Sequence, residues 1–295
     1  MILQKNLYVS TGAFKAKNLN NILNECQTTG FQFLELSSGI KFSDSLLEKC
    51  KVLEGEMNFL IHNYFPAPPK PFVLNLASTD PFILKLSREL CKNAIDLCVD
   101  LGSPFYSVHS GFAINLKPEQ LGQPDKQSIL TSKYVINPEL AYSIFLESIC
   151  EINCYAEEKS IGILIENNVV TPQHVARGKE DIFLMVKSED VIRLMEDVSS
   201  QNIGLLVDVG HLNVSANALG YKKVKFLEDV KSYVRAFHLS ENDGITDQNL
   251  PVRKDSWFLP HIKETPSVVV VLEAYNLTSE QIKDQLQSLS TNMHC

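Results

Sequence analysis

Six apolar segments of this 295-residue chain end in a histidine or an acidic residue. Residues 204–207, for example, read Gly-Leu-Leu-Val and are followed directly by Asp208, with His211 three positions later. Imidazole and carboxylate groups bind divalent metals and transfer protons near neutral pH. The residues that end these six consecutive segments are His62, His109, Glu166, Asp208, His238 and Glu273.

A single residue of this kind has an ordinary structural explanation. One histidine at a strand end is commonly a hydrogen-bonded rim residue, and one carboxylate can cap the next helix. Six such residues on consecutive segments are different, because crowded carboxylates repel one another and are costly to bury without positive charge. No lysine or arginine lies at these segment ends. The pattern therefore predicts that a divalent cation binds where the six segments meet.

The six segments belong to a longer alternation of short apolar and longer amphipathic segments, which is typical of strands alternating with helices. The clearest predicted helix is Pro81–Leu101, which has a stripe of leucine and isoleucine and follows the capping residues Ser78-Thr79-Asp80. Other predicted helices are residues 138–159, 188–199 and 279–289. The predicted strands are residues 7–10, 31–36, 58–61, 105–108, 161–165, 203–207, 234–237 and 268–272.

Eight strand-then-helix units predict an α/β fold, a single (β/α)8 TIM barrel, as one domain over residues 1–295. The unbroken apolar run Val268–Leu272 is typical of a parallel strand covered on both faces. A doubly wound open sheet is the alternative, but the chain has neither a GxGxxG nor a P-loop pattern. Barrel active sites lie at the carboxyl ends of the strands, where the six residues are expected to meet. The long irregular segments 65–80, 112–137, 169–187 and 241–257 follow strands and are expected at the same face.

Composition limits the partners and the compartment. A formal net charge of −8 gives no general attraction to nucleic acid or to an anionic membrane. No apolar run approaches the roughly 18–20 residues that span a bilayer, and the first residues lack the layout of a signal peptide. We therefore expect a cytoplasmic protein without a membrane partner. Seven cysteines without a CxxC pair predict reduced, buried core thiols.

Two stretches carry a resemblance to a known family. VDVGHLN (207–213) and FHLSENDG (237–244), with Glu166 before them and Glu273 after them, resemble the xylose isomerase-like TIM-barrel superfamily. The resemblance extends from Val9 to Leu289. This superfamily contains sugar isomerases, ketose 3-epimerases, inosose-processing enzymes and the endonuclease IV group.

The isomerase and epimerase branch of the superfamily implies roles for individual residues. It implies that Glu166, Asp208, His238 and Glu273 bind one divalent ion, which could be Mn, Co, Mg or Zn. It also implies that Glu166 and Glu273 are the catalytic acid and base, on opposite sides of a sugar. The residues expected to bind substrate are His62, His109, His211 and, on the loop after the fifth strand, Arg177.

Two enzyme classes and one other class remain open. The first is a metal-dependent isomerase or epimerase that moves a proton on a small sugar, sugar phosphate or polyol carbonyl compound through an enediolate. The alternative is an endonuclease IV-like zinc hydrolase of abasic DNA, in which His62 and His109 match ligands of a further zinc that shares Glu166. The third is a metal-binding barrel that has lost its chemistry.

Two observations favour the carbohydrate enzyme over the nuclease. Asp247 fits the aspartate of an Asp-x-His zinc motif, but Asn249 stands at the histidine position, and an amide is a poor zinc ligand. The long loops are also poor in the basic residues that hold a bent duplex. We expect a small carbohydrate substrate rather than nucleic acid, one tightly held ion and a weak second ion near His62 and His109. A homo-oligomer is left open.

Overall fold

Eight parallel strands form a closed barrel in this protein, and their order around the barrel is their order in the chain. The computed structural model describes residues 6–40, 46–53, 55–118, 135–265 and 267–294. The strands are β1 (Leu7–Ser10), β2 (Phe33–Leu36), β3 (Asn58–His62), β4 (Phe105–His109), β5 (Gly162–Glu166), β6 (Ile203–Asp208), β7 (Val234–Leu239) and β8 (Val269–Leu272). The predicted single (β/α)8 barrel is confirmed.

The helices alternate with the strands and cover the outside of the barrel. The predicted helix Pro81–Leu101 has the predicted bounds, and its cap Asp80 accepts hydrogen bonds from the backbone N–H groups of Phe82 and Ile83. The α-helices are α1 (Leu19–Thr29), α2 (Leu46–Val52), α3 (Pro81–Leu101), α4 (Pro138–Glu157), α5 (Pro172–Val175), α6 (Ser188–Val198), α7 (Val209–Leu219), α8 (Lys223–Val230), α9 (Leu259–Lys263) and α10 (Ser279–His294).

A cluster of apolar side chains fills the barrel interior below the strand ends. Each of seven strands contributes one buried side chain to it, and Phe33 of β2 packs against these. Side chains alternate between the two faces of a strand, so the residue two positions later lies on the same face, one layer higher. Leu164 is thus followed by Glu166, and Val271 by Glu273. The seven apolar residues are Tyr8, Leu60, Phe105, Leu164, Leu206, Ala236 and Val271.

The register of the strands brings the polar ends side by side. His109 of β4 is the direct partner of Glu166 of β5, and Asp208 of β6 is the direct partner of His238 of β7. The barrel closes where β1 pairs with β8, with Leu7 opposite Val270. Polar residues at the ends of different strands therefore form one ring at the barrel mouth.

Two details differ from the sequence expectations, and one expectation lies partly outside the described residues. The segment 169–187, expected to be irregular, contains α5 and a 3-10 turn at Glu180–Ile182. Part of the expected irregular segment 112–137 lies outside the described residues. The prediction of buried thiols is wrong for Cys154, which is exposed, and only partly right for Cys150. Among the described helices, none has the length and apolar character to cross a membrane.

Candidate metal centre

Four side chains from the last four strands converge at the barrel mouth. Glu166, Asp208 and His238 lie at or near the ends of β5, β6 and β7, and Glu273 follows β8 directly. None is more than 7% exposed. Each offers a nitrogen or oxygen atom within 4.8 Å of those of the other three. The structure therefore brings together the four residues that the resemblance implies as ligands.

The spacing of these atoms is that of ligands around an ion. His238 Nδ1 lies 2.7 Å from Glu273 Oε2 and 3.7 Å from Glu166 Oε1. In the described part of the chain, however, neither buried His238 Nδ1 nor buried Glu166 Oε2 has a hydrogen-bond partner. Two atoms that each bind an ion at about 2.0–2.2 Å lie roughly 3 Å apart. The residues present fit a divalent cation.

The charges at this point also call for a cation. Desolvation by burial raises the pKa of Asp208 to about 8; His211 lowers it, whereas Glu273 raises it further. Without a cation, Asp208 would therefore be largely protonated at neutral pH. Despite desolvation, the neighbouring histidines already hold the pKa of Glu166 and of Glu273 below the ordinary value, so a divalent ion here would add the charge that keeps Asp208 ionised as well.

Asp208 is fixed by its neighbours on both sides. Its backbone N–H donates to Asn167 Oδ1 at 2.9 Å, and Asn167 Nδ2 donates back to the Asp208 carbonyl at 3.1 Å. Its Oδ1 accepts from the backbone N–H of His211 at 2.7 Å and so caps α7. Gly210 follows in the first turn, where a Cβ atom would lie 2.7 Å from Ser240 Oγ.

His62 and His109 lie on the other side of Glu166. Their Nε2 atoms are 3.4 Å and 3.3 Å from Glu166 Oε2, and the three residues form a second group able to hold an ion. His62 Nδ1 bonds to Ser107 Oγ at 3.0 Å. Desolvation lowers the pKa of His109 to about 4, so its imidazole is neutral at physiological pH. Both histidines thus border the candidate centre, as the sequence predicted.

The other two predicted substrate residues differ in position. His211 reaches the centre: its Nδ1 donates to the Asn167 carbonyl at 2.9 Å, and its Nε2 lies 3.3 Å from Asp247 Oδ2. Arg177 instead is exposed in the turn after α5, beside His174, whose pKa it lowers in addition to the effect of burial. A role for Arg177 in binding a substrate anion stays a prediction.

Two residues at the centre were missed or left undecided by sequence reasoning. Glu35 is fully buried, and its Oε2 lies 2.9 Å from His238 Nε2. Tyr275 donates its hydroxyl to Glu273 Oε1 at 3.3 Å. The two-residue period of a strand could have identified Glu35, which lies two positions after Phe33 in β2, whereas Tyr275 lies beyond the end of β8, where no such period applies.

Asn249 lies close to the site, and its hydrogen bonds are to residues of the neighbouring loops. Its backbone has a φ of 48°, in the left-handed region that asparagine tolerates better than most residues. Its Nδ2 donates to Asp247 Oδ2 at 3.3 Å, and its carbonyl accepts from the backbone N–H of Tyr275. The asparagine therefore holds the loop after β7 against the end of β8.

The chain belongs to the xylose isomerase-like TIM barrel family, whose sequence profile matches residues 23–290. It is similar to an uncharacterized protein, MJ1311, of Methanocaldococcus jannaschii, with 26% identity over 215 residues. That match covers 73% of this chain but only 64% of the relative, so the chain spans less than two thirds of the length of that protein.

Solved structures share the fold over nearly the whole chain. A D-tagatose 3-epimerase-like protein superposes with a TM-score of 0.70 at 19% identity, covering 97% of this chain and 98% of the other. D-psicose 3-epimerase of Clostridium cellulolyticum H10, solved with D-tagatose, gives 0.66 at 13% identity, with coverages of 98% and 96%. The IolI protein with a bound zinc atom gives 0.66 at 16% identity, with coverages of 97% and 96%. At these identities the likeness establishes the fold.

Proposed function

We propose that this protein is a divalent-metal-dependent isomerase or epimerase of a small sugar, sugar phosphate or related polyol carbonyl compound. The observation that carries the proposal is the convergence of Glu166, Asp208, His238 and Glu273 within 4.8 Å, with buried polar atoms left without a partner in the described residues. The epimerase folds among the similar solved structures support the substrate class.

The chemistry divides between the ion and the two glutamates. A divalent ion held here supplies positive charge that polarises a substrate carbonyl and eases removal of the proton on the neighbouring carbon. Glu166 and Glu273 each turn one oxygen towards His238 and the other away from it. The second oxygens, Glu166 Oε2 beside His62 and His109 and Glu273 Oε1 beside the Tyr275 hydroxyl, would remove and return a proton on a bound substrate.

The remaining polar residues would hold the substrate. His62 and His109 lie 3.3–3.4 Å from Glu166 Oε2, and His211 lies 3.5 Å from Glu166 Oε1. A neutral imidazole such as His109 can donate to or accept from a sugar hydroxyl. Arg177 would hold a phosphate or carboxylate if the substrate carries one. Its substitution by alanine would then raise KM for phosphorylated substrates only.

Solvent isotope exchange tests the proposal. The chain is stripped with chelator, reloaded with Mn²⁺, Co²⁺, Mg²⁺ or Zn²⁺, and incubated in D₂O with a panel of ketoses and ketose phosphates. Proton transfer predicts deuterium at the carbon beside the carbonyl, which is lost in Glu166→Gln and Glu273→Gln. Glu264→Gln, an exposed carboxyl change away from the centre, is the matched control. A wild-type chain that binds no divalent ion and exchanges no substrate contradicts the proposal.

A second candidate, zinc-dependent hydrolysis of abasic DNA, has one observation in its favour. His62, His109 and Glu166 form a second group of possible ligands. Against it stand Asn249, at the position of a third zinc's histidine, and the acidic loops around the site. We expect no useful incision of an abasic duplex at physiological salt. Incision that chelator and Glu273→Gln both abolish would favour the nuclease instead.

A further inference from the structure

Glu35 is a buried carboxylate that is not one of the four proposed ligands. Neither it nor His238 has measurable solvent exposure. Its Oε2 lies 2.9 Å from His238 Nε2, and its Oε1 has no partner among the described residues. Burying a carboxylate costs several kcal/mol unless hydrogen bonds and opposite charge compensate. A group kept in such a position at the metal centre points to a role in that centre.

The two nitrogens of His238 face different groups. Nε2 lies 2.9 Å from Glu35 Oε2, at hydrogen-bond distance, and an imidazole that holds an ion through Nδ1 has its single N–H on Nε2, where it can donate to this carboxylate. Nδ1 lies 2.7 Å from Glu273 Oε2 without a hydrogen bond. A neutral imidazole has one N–H, so Nδ1 then carries the lone pair. The contact with Glu35 therefore leaves Nδ1, the nitrogen that faces Glu166 and Glu273, to bind the ion.

We propose that Glu35 is a positioning residue that fixes the ring orientation and tautomer of His238, so that the Nδ1 lone pair points at the ion. The inference rests on the metal centre of the proposed function, but not on any substrate. Histidine ligands commonly donate their second N–H to a carboxylate, and loss of that partner costs about 10–100-fold in metal affinity. A carboxylate beside the imidazole also makes the ligand nitrogen more basic.

The same atoms could instead hold a second ion. Glu35, His62 and His238 together form a group with metal-binding spacing. One observation favours the positioning role: the Glu35–His238 contact has the length and direction of a hydrogen bond. The number of ions bound per chain separates the two interpretations.

The test measures Zn²⁺ affinity by competition with a chromophoric chelator and records the visible spectrum of the Co²⁺ form. Glu35→Ala removes the hydrogen-bond acceptor. Glu35→Asp shortens the side chain by one methylene and so moves the carboxylate away from His238. Glu35→Gln keeps the side-chain length and an acceptor oxygen but removes the charge. Ser103→Ala is the control, because it removes a buried hydrogen bond to the Phe105 carbonyl at the start of β4, far from the strand ends. Circular dichroism in chelator checks that each variant folds.

We expect Glu35→Ala and Glu35→Asp to lose about 10–100-fold in affinity with an altered Co²⁺ spectrum, Glu35→Gln to lose less, and Ser103→Ala to match the wild type. If Glu35→Ala does not fold, Glu35→Asp and Glu35→Gln carry the test. Wild-type affinity in a folded Glu35→Ala or Glu35→Asp variant overturns the proposal. So does a second ion that is lost with Glu35. A wild-type chain that binds no ion overturns the metal centre itself, which is a separate outcome.

Discussion

Asp208 Oδ1 accepts a hydrogen bond from the backbone N–H of His211 at 2.7 Å, so the last residue of β6 is also the cap of α7. One carboxylate oxygen is committed to the helix, and the other remains available to an ion. The beginning of α7 and the geometry of the candidate centre are thereby linked. A change that shifts the first turn of α7 is expected to move a ligand.

Gly210→Ala should weaken metal binding through this link. The new Cβ would lie 2.7 Å from Ser240 Oγ and 3.1 Å from Asp208 Oδ1, so the Ser240 hydroxyl would have to move and the Asp208 carboxylate to shift by a few tenths of an ångström. Overpacking of this kind costs about 1–3 kcal/mol, and a tenfold loss of affinity corresponds to about 1.4 kcal/mol. Titration with Zn²⁺ measures the effect. Ser240→Ala alone should change little, and combined with Gly210→Ala it should restore part of the affinity. An unchanged affinity in Gly210→Ala would disprove the link.

Metal stoichiometry should be close to one tightly bound ion per chain. His62 and His109 are expected to hold at most a weak second ion with Glu166, because they would mainly orient substrate. The double variant His62→Ala with His109→Ala should therefore keep the tight ion and lose substrate affinity. Elemental analysis after gel filtration gives the count. A wild-type value near two that falls to one in the variant would show that the site is dinuclear.

Tyr275→Phe should lower turnover without emptying the site. The hydroxyl donates to Glu273 Oε1, the oxygen proposed to move a proton, so its loss changes the orientation and basicity of that oxygen. A hydrogen bond of this kind contributes about 0.5–1.5 kcal/mol, which corresponds to a decrease in kcat of roughly 2–10-fold. The matched control is Tyr221→Phe. The Tyr221 hydroxyl donates to the carbonyl of Val186, which lies just before α6. Equal kcat in the two variants would exclude this role for Tyr275.

Arg88→Ala should destabilise the fold without affecting the metal. The largely buried guanidinium donates to Ser148 Oγ at 3.1 Å and to Glu151 Oε2 at 2.7 Å, and so joins α3 to α4. Removing it leaves part of this network without a partner, at a cost of about 1–3 kcal/mol. Lys85→Ala, which removes an exposed pair with Glu89, should cost less than about 0.5 kcal/mol. Urea unfolding in chelator compares them, and equal losses would contradict the prediction.

Thiol reactivity should separate Cys154 from the buried cysteines. Burial raises the pKa of Cys26, Cys50, Cys91 and Cys98 to about 12. Since only the thiolate reacts, these four should stay unmodified by iodoacetamide at pH 8 and also at pH 9 until the chain unfolds. Exposed Cys154 should react within minutes at pH 8. Peptide mapping identifies the modified residues, and rapid labelling of Cys91 in the native state would contradict the burial.

The sequence allowed the ring of strand-end residues to be predicted because two local rules suffice. Side chains alternate along a strand, and the carboxyl ends of parallel strands meet at one face. The partner of Glu35 could not be predicted, because no spacing rule connects β2 with β7. The exposure of Cys154 could not be predicted either. Cys150 and Cys154 lie one helical turn apart on α4, which is apolar on most sides, so their spacing did not show which face of the helix packs against the rest of the protein.

The contact between Glu35 and His238 spans 203 residues of the chain, and β1 closes the barrel against β8. During synthesis the first strands leave the ribosome long before their partners exist. Contacts between distant residues form late and slow folding. Until β7 emerges, the Glu35 carboxylate has no His238 imidazole beside it, and until Glu273 follows, the proposed ion would have only three of its four proposed ligands. Metal loading is therefore expected to be a late event in the maturation of this chain, after residue 273 has been translated.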